Sequence, residues 1–334
     1  MRRWILTPDQ TGLAALQLDT SAPLPEPGPG EVRLRVRAVA LNHRDKFVLD
    51  ALPGWRGHEA LVPLADASGE IDAIGSGVTG WQVGDTALTL YAKGWISGPP
   101  PVGLGLGMGA GSEQGVLSDY IVLPAERLAR APAGLDWAEA ASLPCAGVTA
   151  WTGVFGGRPV GPGMRVLATG TGGVALLALV LAKAAGAEVY GLSSNAEKID
   201  KLQDMGVQDV INYHDEPEWG TAVLRKYGGV DLVIDTVGNV NRAMSALRPC
   251  GEVAVIGLMS QDGPLNPMIF MGRTLTLRGN AVGSAADYET MRRFIETNGI
   301  RPPIGARIAF EDAPGAYAAL RQGVFGKVVI ELGN

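Results

Sequence analysis

Residues 31–42 read EVRLRVRAVALN, in which Val32, Leu34, Val36 and Ala38 alternate with Glu31, Arg33, Arg35 and Arg37. A period of two puts the apolar set on one face of an extended strand and the charged set on the other. The same short, turn-bounded alternation recurs in GEIDAIGSG and GDTALTLY, so residues 1 to about 127 predict a compact, barrel-like β domain. From about residue 137 the pattern changes to six parallel-type apolar runs, MRVLAT, EVYGLS, QDVINY, VDLVIDTV, GEVAVIGL and TLTLRGNA, several separated by helical segments such as NAEKIDKLQDMG. Runs of this kind suit strands covered on both faces, and six of them predict a doubly wound parallel sheet. From about residue 285 two helical segments, ADYETMRRFIETNG and APGAYAALRQG, precede a closing strand, GKVVIEL. The sheet is already complete before them, so this tail is expected to return to the first domain. The predicted division is therefore 1–127 with 285–334, and 128–284.

A length of 334 residues agrees with two cores rather than one. The formal net charge is -6 and no basic run is present, which argues against nucleic acid as the main partner. The two cysteines, Cys145 and Cys250, lie far apart, so a disulfide framework is not expected and a reducing compartment fits. Arg2 and Arg3 are followed by no apolar run of signal-peptide length. The longest apolar stretch, VALLALVLAKAAGAEVYGL, is broken by Lys183, Gly186 and Glu188 before it could span a bilayer. The expectation is a soluble cytoplasmic protein with no membrane partner, acting on a small-molecule substrate.

The candidate chemistry begins at ATGTGGVA, where Gly170, Gly172 and Ala175 form a G-x-G-x-x-A spacing between a strand and a helix. Glycines permit a tight turn and close approach of the backbone, including Thr171, Gly173 and Val174, to a pyrophosphate at the helix N-terminus. In a chain with 47 glycines the spacing alone says little; its strand–turn–helix context makes it a dinucleotide site. The second strand of that unit ends GLSSNAEK, with Ser193 and Ser194 where an NAD site usually carries a carboxylate, and Lys198 one turn later. Hydroxyls and an ammonium suit a 2′-phosphate, which favours NADP(H). Ser194 or Asn195 can also serve as a helix cap with Lys198 a solvated charge, and the two roles are compatible.

Together with these stretches, ALNHRDKFV, PLADASGEIDAIGSGVTGWQVGDTAL, GVLSDYIVLP and AASLPCAGVTAWTGVF occur in the order found in one family. The chain resembles the medium-chain dehydrogenase/reductases, in their zinc-independent, quinone oxidoreductase-like branch. The resemblance implies an α/β protein with a GroES-like β-barrel catalytic domain, a Rossmann NADP-binding domain and an active site in the cleft between them. It implies that Ser193, Ser194, Lys198 and Tyr213 surround the 2′-phosphate. Thr149, Ala150, Gly257, Leu258, Asn280, Val282 and Gly283 match segments that line the nicotinamide. A homodimer through TLTLRGNA is expected by the same analogy.

Gly57-His58-Glu59 looks like part of a metal motif, but the family register argues otherwise. Zinc-dependent relatives carry a first Cys ligand where this chain has Asn42, and a His of G-H-E-x-x-G whose glycine is absent after His58. The segment that fits is PLADASGEI, whose Gly69 puts Ala65 at the histidine position and Asp66 at the glutamate. Cys145, four residues before Thr149, keeps the third position. One ligand cannot make a tight zinc site, so no metal is expected, with His58 in an exposed loop and Cys145 a small buried hydrophobe. The cysteine-free Gly/Pro-rich segment 94–116 is either a mobile loop beside the cleft or a disordered surface insertion.

Without a metal, alkoxide formation loses its main stabiliser, and acceptors that take hydride readily, quinones or alkenes conjugated to a carbonyl, become favoured. Asn42 is a candidate donor to a substrate oxygen, and His43, where relatives often carry Tyr, a candidate proton donor or shuttle. Asp45 and Asp66 are expected to hold loops. Three functions stay open: an NADPH-dependent quinone or enone reductase, an alcohol dehydrogenase or carbonyl reductase with or without a displaced zinc, and a non-enzymatic NADPH-binding sensor.

Overall fold

The computed structural model describes residues 1–257 and 263–333. It divides into two compact units, Met1–Val148 with Gly283–Asn334, and Thr149–Val282. In the first unit the ladder runs Ile304–Ala309, Lys327–Glu331, Glu31–Ala40, Asp66–Ile74, Thr86–Thr89 and Leu128–Arg130, while Tyr120–Pro124 joins Glu31–Ala40. The alternating segment is the hub: it pairs with Asp66–Ile74 along its length, with Tyr120–Pro124 through residues 31–35, and with the closing strand through residues 38–40. One strand shared in this way curves the sheet as a barrel requires. Among the described residues no pairing joins the two ends of the ladder into a ring. Val32, Leu34 and Val36 are buried, as the alternation requires, in a core with Leu6, Leu41, Leu61, Leu64, Ile71, Phe310 and Tyr317, while Ala38, past a shift in register, is buried in a separate cluster. Gly69 faces Val36, and a Cβ there would stand 2.1 Å from the Arg35 carbonyl oxygen, so the two backbones need glycine to approach this closely.

The second unit is a six-stranded parallel sheet in the spatial order Asp209–Ile211, Glu188–Leu192, Arg165–Ala168, Val230–Asp235, Leu247–Val255 and Thr276–Gly279. All six apolar runs form its strands, and Val230–Asp235 is buried throughout because the sheet is covered on both faces. The direction of strand progression reverses between Arg165–Ala168 and Val230–Asp235. Ligands of doubly wound sheets bind beyond the carboxyl ends of the strands at such a reversal. The helix Gly173–Ala184 buries seven residues, among them Leu176, Leu177 and Leu181, which locks the turn before it onto the sheet.

The boundaries differ from those expected. The first unit extends to Val148 rather than to 127, because Leu128–Arg130 pairs with Thr86–Thr89 and the helix Trp137–Ala141 packs on the same sheet. Ala138 and Ala141 share a buried cluster with Ala38, Ala40 and Val329, and Ser68 donates to the Trp137 carbonyl at 2.6 Å. The tail begins at Gly283 and, as the completeness of the six-stranded sheet before it implied, returns to the first unit through Lys327–Glu331. Segment 94–116 is anchored at several points. Trp95, Met108 and Ala110 are buried and Gly111 exchanges backbone bonds with Trp55 and Gly57, while residues 96–103 form its continuous exposed run.

Candidate functional site

The turn after Arg165–Ala168 is shaped as the glycine spacing requires. Gly170 has φ +84°, and a Cβ there would meet Thr236 Oγ1 at 3.3 Å. Gly172 caps the helix Gly173–Ala184 without any side chain bonding the first amides, and a Cβ on it would meet nothing within 4 Å. Thr171, Gly173 and Val174 are half-buried around it. Unsatisfied helix N–H groups in open space fit a dinucleotide pyrophosphate. The turn is braced from the next strand. Thr169 Oγ1 donates to Asp235 Oδ1 at 3.1 Å and accepts from Thr236 N at 2.9 Å, while Thr236 Oγ1 donates to the Thr169 carbonyl. Asp235 Oδ1 also accepts from Val237 N at 3.1 Å and Gly238 N at 2.9 Å. Gly257 presses on the same place: a Cβ would stand 2.3 Å from Thr236 C and Val237 N.

The 2′-phosphate candidates lie at the ends of two neighbouring strands. Leu192 faces Ile211 and Ser193 N donates to the Ile211 oxygen at 3.2 Å, which brings Ser193 and Ser194 alongside the segment leading to Tyr213. Ser193 is buried and its Oγ accepts from Asn195 N at 3.2 Å; Asn195 in turn caps the next helix by accepting from Lys198 N at 3.0 Å. The capping role of Asn195 is therefore real, and Lys198 stands in the first helical turn. Tyr213 is exposed. Glu197, in the same helical turn as Lys198, pairs with Lys201 at 2.6 Å. Among the other candidates, Asn280 Nδ2 donates to the Thr149 carbonyl at 3.1 Å, and Thr152 Oγ1 to the Val282 carbonyl at 2.7 Å. Gly283 is buried at the start of the first unit's tail. Leu258 lies outside the described residues.

A second cluster lies in the first unit, made by the residues that the sequence register sets against the metal positions of zinc-dependent relatives. Asn42 Nδ2 donates to Asp66 Oδ2 at 2.9 Å, and Cys145 N donates to the same oxygen at 3.2 Å from a π-helical turn, Leu143–Gly147. Lys327, buried at the start of the closing strand, donates to the Leu41 carbonyl at 2.6 Å and to Asn42 Oδ1 at 2.7 Å, and its Nζ lies 4.0 Å from Asp66 Oδ2. Asp66 is fully buried and its Oδ1 has no hydrogen-bond partner. Burial raises its carboxyl to about 6, with Lys327 and the Asn42 bond opposing the rise. Burial, then the Asp66 charge, pushes the Cys145 thiol up to about 12. Cys145 is half-buried rather than fully enclosed.

Next to this cluster, Asp45 Oδ2 accepts from Asn42 N at 2.6 Å, and the buried Arg44 pairs with Asp45 Oδ1 at 3.2 Å. Arg44 lies over the Tyr91 ring at 5.3 Å and donates to the Leu106 carbonyl at 2.7 Å and to the Met108 carbonyl; Tyr91 OH also donates to Leu106 O, at 2.6 Å. His43 is exposed, with its ring edge-on to Phe47 at 5.4 Å. Partial desolvation and the Lys46 charge hold its pKa below the usual histidine value. His58 and Glu59 are exposed, away from these groups.

These residues do not fit a catalytic zinc ion. One thiol, one amide and an alanine occupy the ligand positions, and a buried ammonium adds positive charge where a second cation would have to enter. Among the described residues no group of three or more His, Cys, Asp or Glu side chains is arranged to hold a metal, and no helix is long and apolar enough to cross a membrane. Thr169, Asp235, Thr236, Arg44 and Lys327 escaped the reading of the sequence. The signal that could have found all of these but Arg44 is a polar residue at the end of, or inside, an apolar strand run: Thr after VLA, Asp-Thr after VDLVI, and Lys before VVIEL.

Residues 28–133 match the family described as alcohol dehydrogenase GroES-like domain, and residues 173–297 the one described as zinc-binding dehydrogenase. The chain is 33% identical over 311 residues to the zinc-type alcohol dehydrogenase-like protein C1773.06c of Schizosaccharomyces pombe, covering 90% of each. It is 27% identical over 341 residues to the 2-methylene-furan-3-one reductase of Solanum lycopersicum, covering 99% of this chain and 79% of that one. The crystal structure of an NAD-dependent alcohol dehydrogenase superposes with a TM-score of 0.87 at 30% identity, covering 100% of both chains.

Proposed function

Because the chain belongs to the medium-chain dehydrogenase/reductase family, with its GroES-like and Rossmann parts, we propose that it is an NADPH-dependent reductase of quinones or α,β-unsaturated carbonyls that works without a metal. The observation that carries this is the Lys327–Asn42–Asp66 cluster at the family's metal positions. When bound, the nicotinamide cofactor supplies the hydride. The residues of the chain bind, orient and polarise. The helix N-terminus at Gly172 and Gly173 holds the pyrophosphate, and Ser193, Ser194, Lys198 and Tyr213 the 2′-phosphate. Thr149, Gly257, Asn280, Val282 and Gly283 line the nicotinamide. Asn42 donates to the substrate oxygen on which negative charge develops, and His43, its imidazole kept neutral, donates a hydrogen bond or relays a proton from solvent. A small-molecule substrate, no nucleic acid, and a cytoplasmic homodimer paired through the outer edge of Thr276–Gly279 belong to the same reading.

The name of the tomato relative, a reductase of an alkene conjugated to a carbonyl, supports it. Oxidation of NADPH and NADH, followed side by side over a panel of quinones, enones, aldehydes and alcohols with and without chelator, tests it. Preferential, chelator-resistant NADPH oxidation by a quinone or enone is expected. A clear NADH preference would overturn the assignment of Ser193, Ser194 and Lys198, and NADPH binding without turnover on any acceptor would point to a sensor. The second reading, an alcohol dehydrogenase or carbonyl reductase, is favoured by the names of the yeast relative and of the NAD-dependent structure; it predicts turnover with alcohols or simple carbonyls instead.

A further inference from the structure

An asparagine amide has two indistinguishable-looking ends, and a catalytic hydrogen bond from it is useful only if its orientation is fixed. At Asn42 the surroundings allow one orientation. The Lys327 ammonium can only donate, and it sits 2.7 Å from Oδ1; the Asp66 carboxylate accepts, and it sits 2.9 Å from Nδ2. Turning the amide over would set its NH₂ against an ammonium and its carbonyl against a carboxylate, in a site where both partners are at least nine-tenths buried. The 4.0 Å between Lys327 Nζ and Asp66 Oδ2 closes a ring along the amide edge made by Oδ1 and the N–H syn to it. That ring consumes one N–H and leaves the other. Lys327 itself is fixed by its bond to the Leu41 carbonyl and by the pairing of its strand with Glu31–Ala40.

We infer that Lys327 is a positioning residue that locks the Asn42 amide so that its remaining N–H is presented to the carbonyl or quinone oxygen of the substrate, an inference that rests on the reductase function proposed above. The ammonium also draws electron density from Oδ1, which makes the free N–H a stronger donor. Asp66 completes the lock as the acceptor on the other side.

A double-mutant cycle between Lys327→Met and Asn42→Ala tests the coupling, read as kcat and KM with the acceptor. Each single variant is expected to lower kcat about tenfold to a hundredfold, with KM for NADPH unchanged, and the double variant to fall no further than Asn42→Ala alone. Losses that multiply, so that Lys327→Met costs the same with and without Asn42, would overturn the inference and leave Lys327 a packing residue. Since Lys327→Met alone strands a buried carboxylate, the cycle is repeated in an Asp66→Asn background, where the fold does not need the ammonium. A second readout is independent of turnover: the Asn42 side-chain amide protons in ¹⁵N-asparagine-labelled protein, assigned by their loss in Asn42→Ala. A resolved, slowly exchanging pair that collapses toward free-amide shifts in Lys327→Met is expected, and an unchanged pair would overturn the lock. If the wild-type protein reduces no quinone or enone, the proposed function fails while the amide spectrum still decides whether Lys327 fixes Asn42.

Discussion

Asp66→Asn isolates a buried charge whose stability effect has a calculable pH dependence. The side chain is fully buried and its carboxyl rises from an ordinary 3.8 to about 6, chiefly through desolvation. A rise of that size corresponds to about 3 kcal/mol of differential stability between its protonated and charged forms. The folded protein holds this proton more tightly than the unfolded chain does. The contribution is therefore fully present below pH 3.8 and is lost as the pH rises through about 6. Asparagine keeps the shape and an acceptor for Asn42 Nδ2 and Cys145 N but cannot ionise, and Lys327 keeps its bonds to Leu41 and Asn42 at every pH. Urea unfolding of both proteins across this range should show the difference in stability moving in favour of the variant by about 3 kcal/mol as the pH rises. Parallel profiles for the two proteins would refute the premise that Asp66 is a strained buried acid, and with it the charge balance assigned to the cluster.

Three further outcomes follow from single contacts. Gly257→Ala forces a Cβ into the Thr236–Val237 backbone and should cost about 1–3 kcal/mol in thermal stability together with a measurable loss of NADPH affinity in a fluorescence titration. Lys198→Ala should weaken NADPH binding about tenfold while leaving NADH nearly unchanged, because only the former carries the phosphate that the ammonium would bond; equal losses for both would place Lys198 outside the site. Arg44→Met strands Asp45 and releases the Leu106 and Met108 carbonyls, so it should cost about 3–5 kcal/mol and speed limited proteolysis within 97–103.

The strand runs were legible because both patterns are simple: alternation at Glu31–Ala40 for a sheet with one wet face, and apolarity without alternation, interrupted by Asp231 and ended by Asp235, at Val230–Asp235 for a sheet with none. The glycine turn was legible because Gly170 needs a positive φ, a demand that leaves a residue type behind, whereas Gly257, whose place against the Thr236–Val237 backbone admits no Cβ, came only from the family resemblance. The first boundary was not. Leu128–Arg130 is three residues long, and the alanines of Trp137–Ala141 carry no mark of which sheet they will cover. Gly69 gave the register by which Ala65 and Asp66 are compared with the family's metal positions, but the cation beside them was not readable. Lys327 lies 261 residues from Asp66 in the chain, and only the antiparallel pairing of the closing strand with Glu31–Ala40 carries its ammonium to Asn42. Arg44 escaped for the opposite reason: between His43 and Asp45 it reads as a surface charge, and its burial depends on a loop 62 residues away folding back over it.

The claim that this site works without a metal is tested most directly on protein stripped of metal by chelation and dialysis. NADPH oxidation by a quinone or enone is measured before and after adding zinc back. Undiminished turnover by the stripped protein, unchanged by zinc, is expected. Activity that disappears on stripping and returns with about one zinc per chain would contradict it.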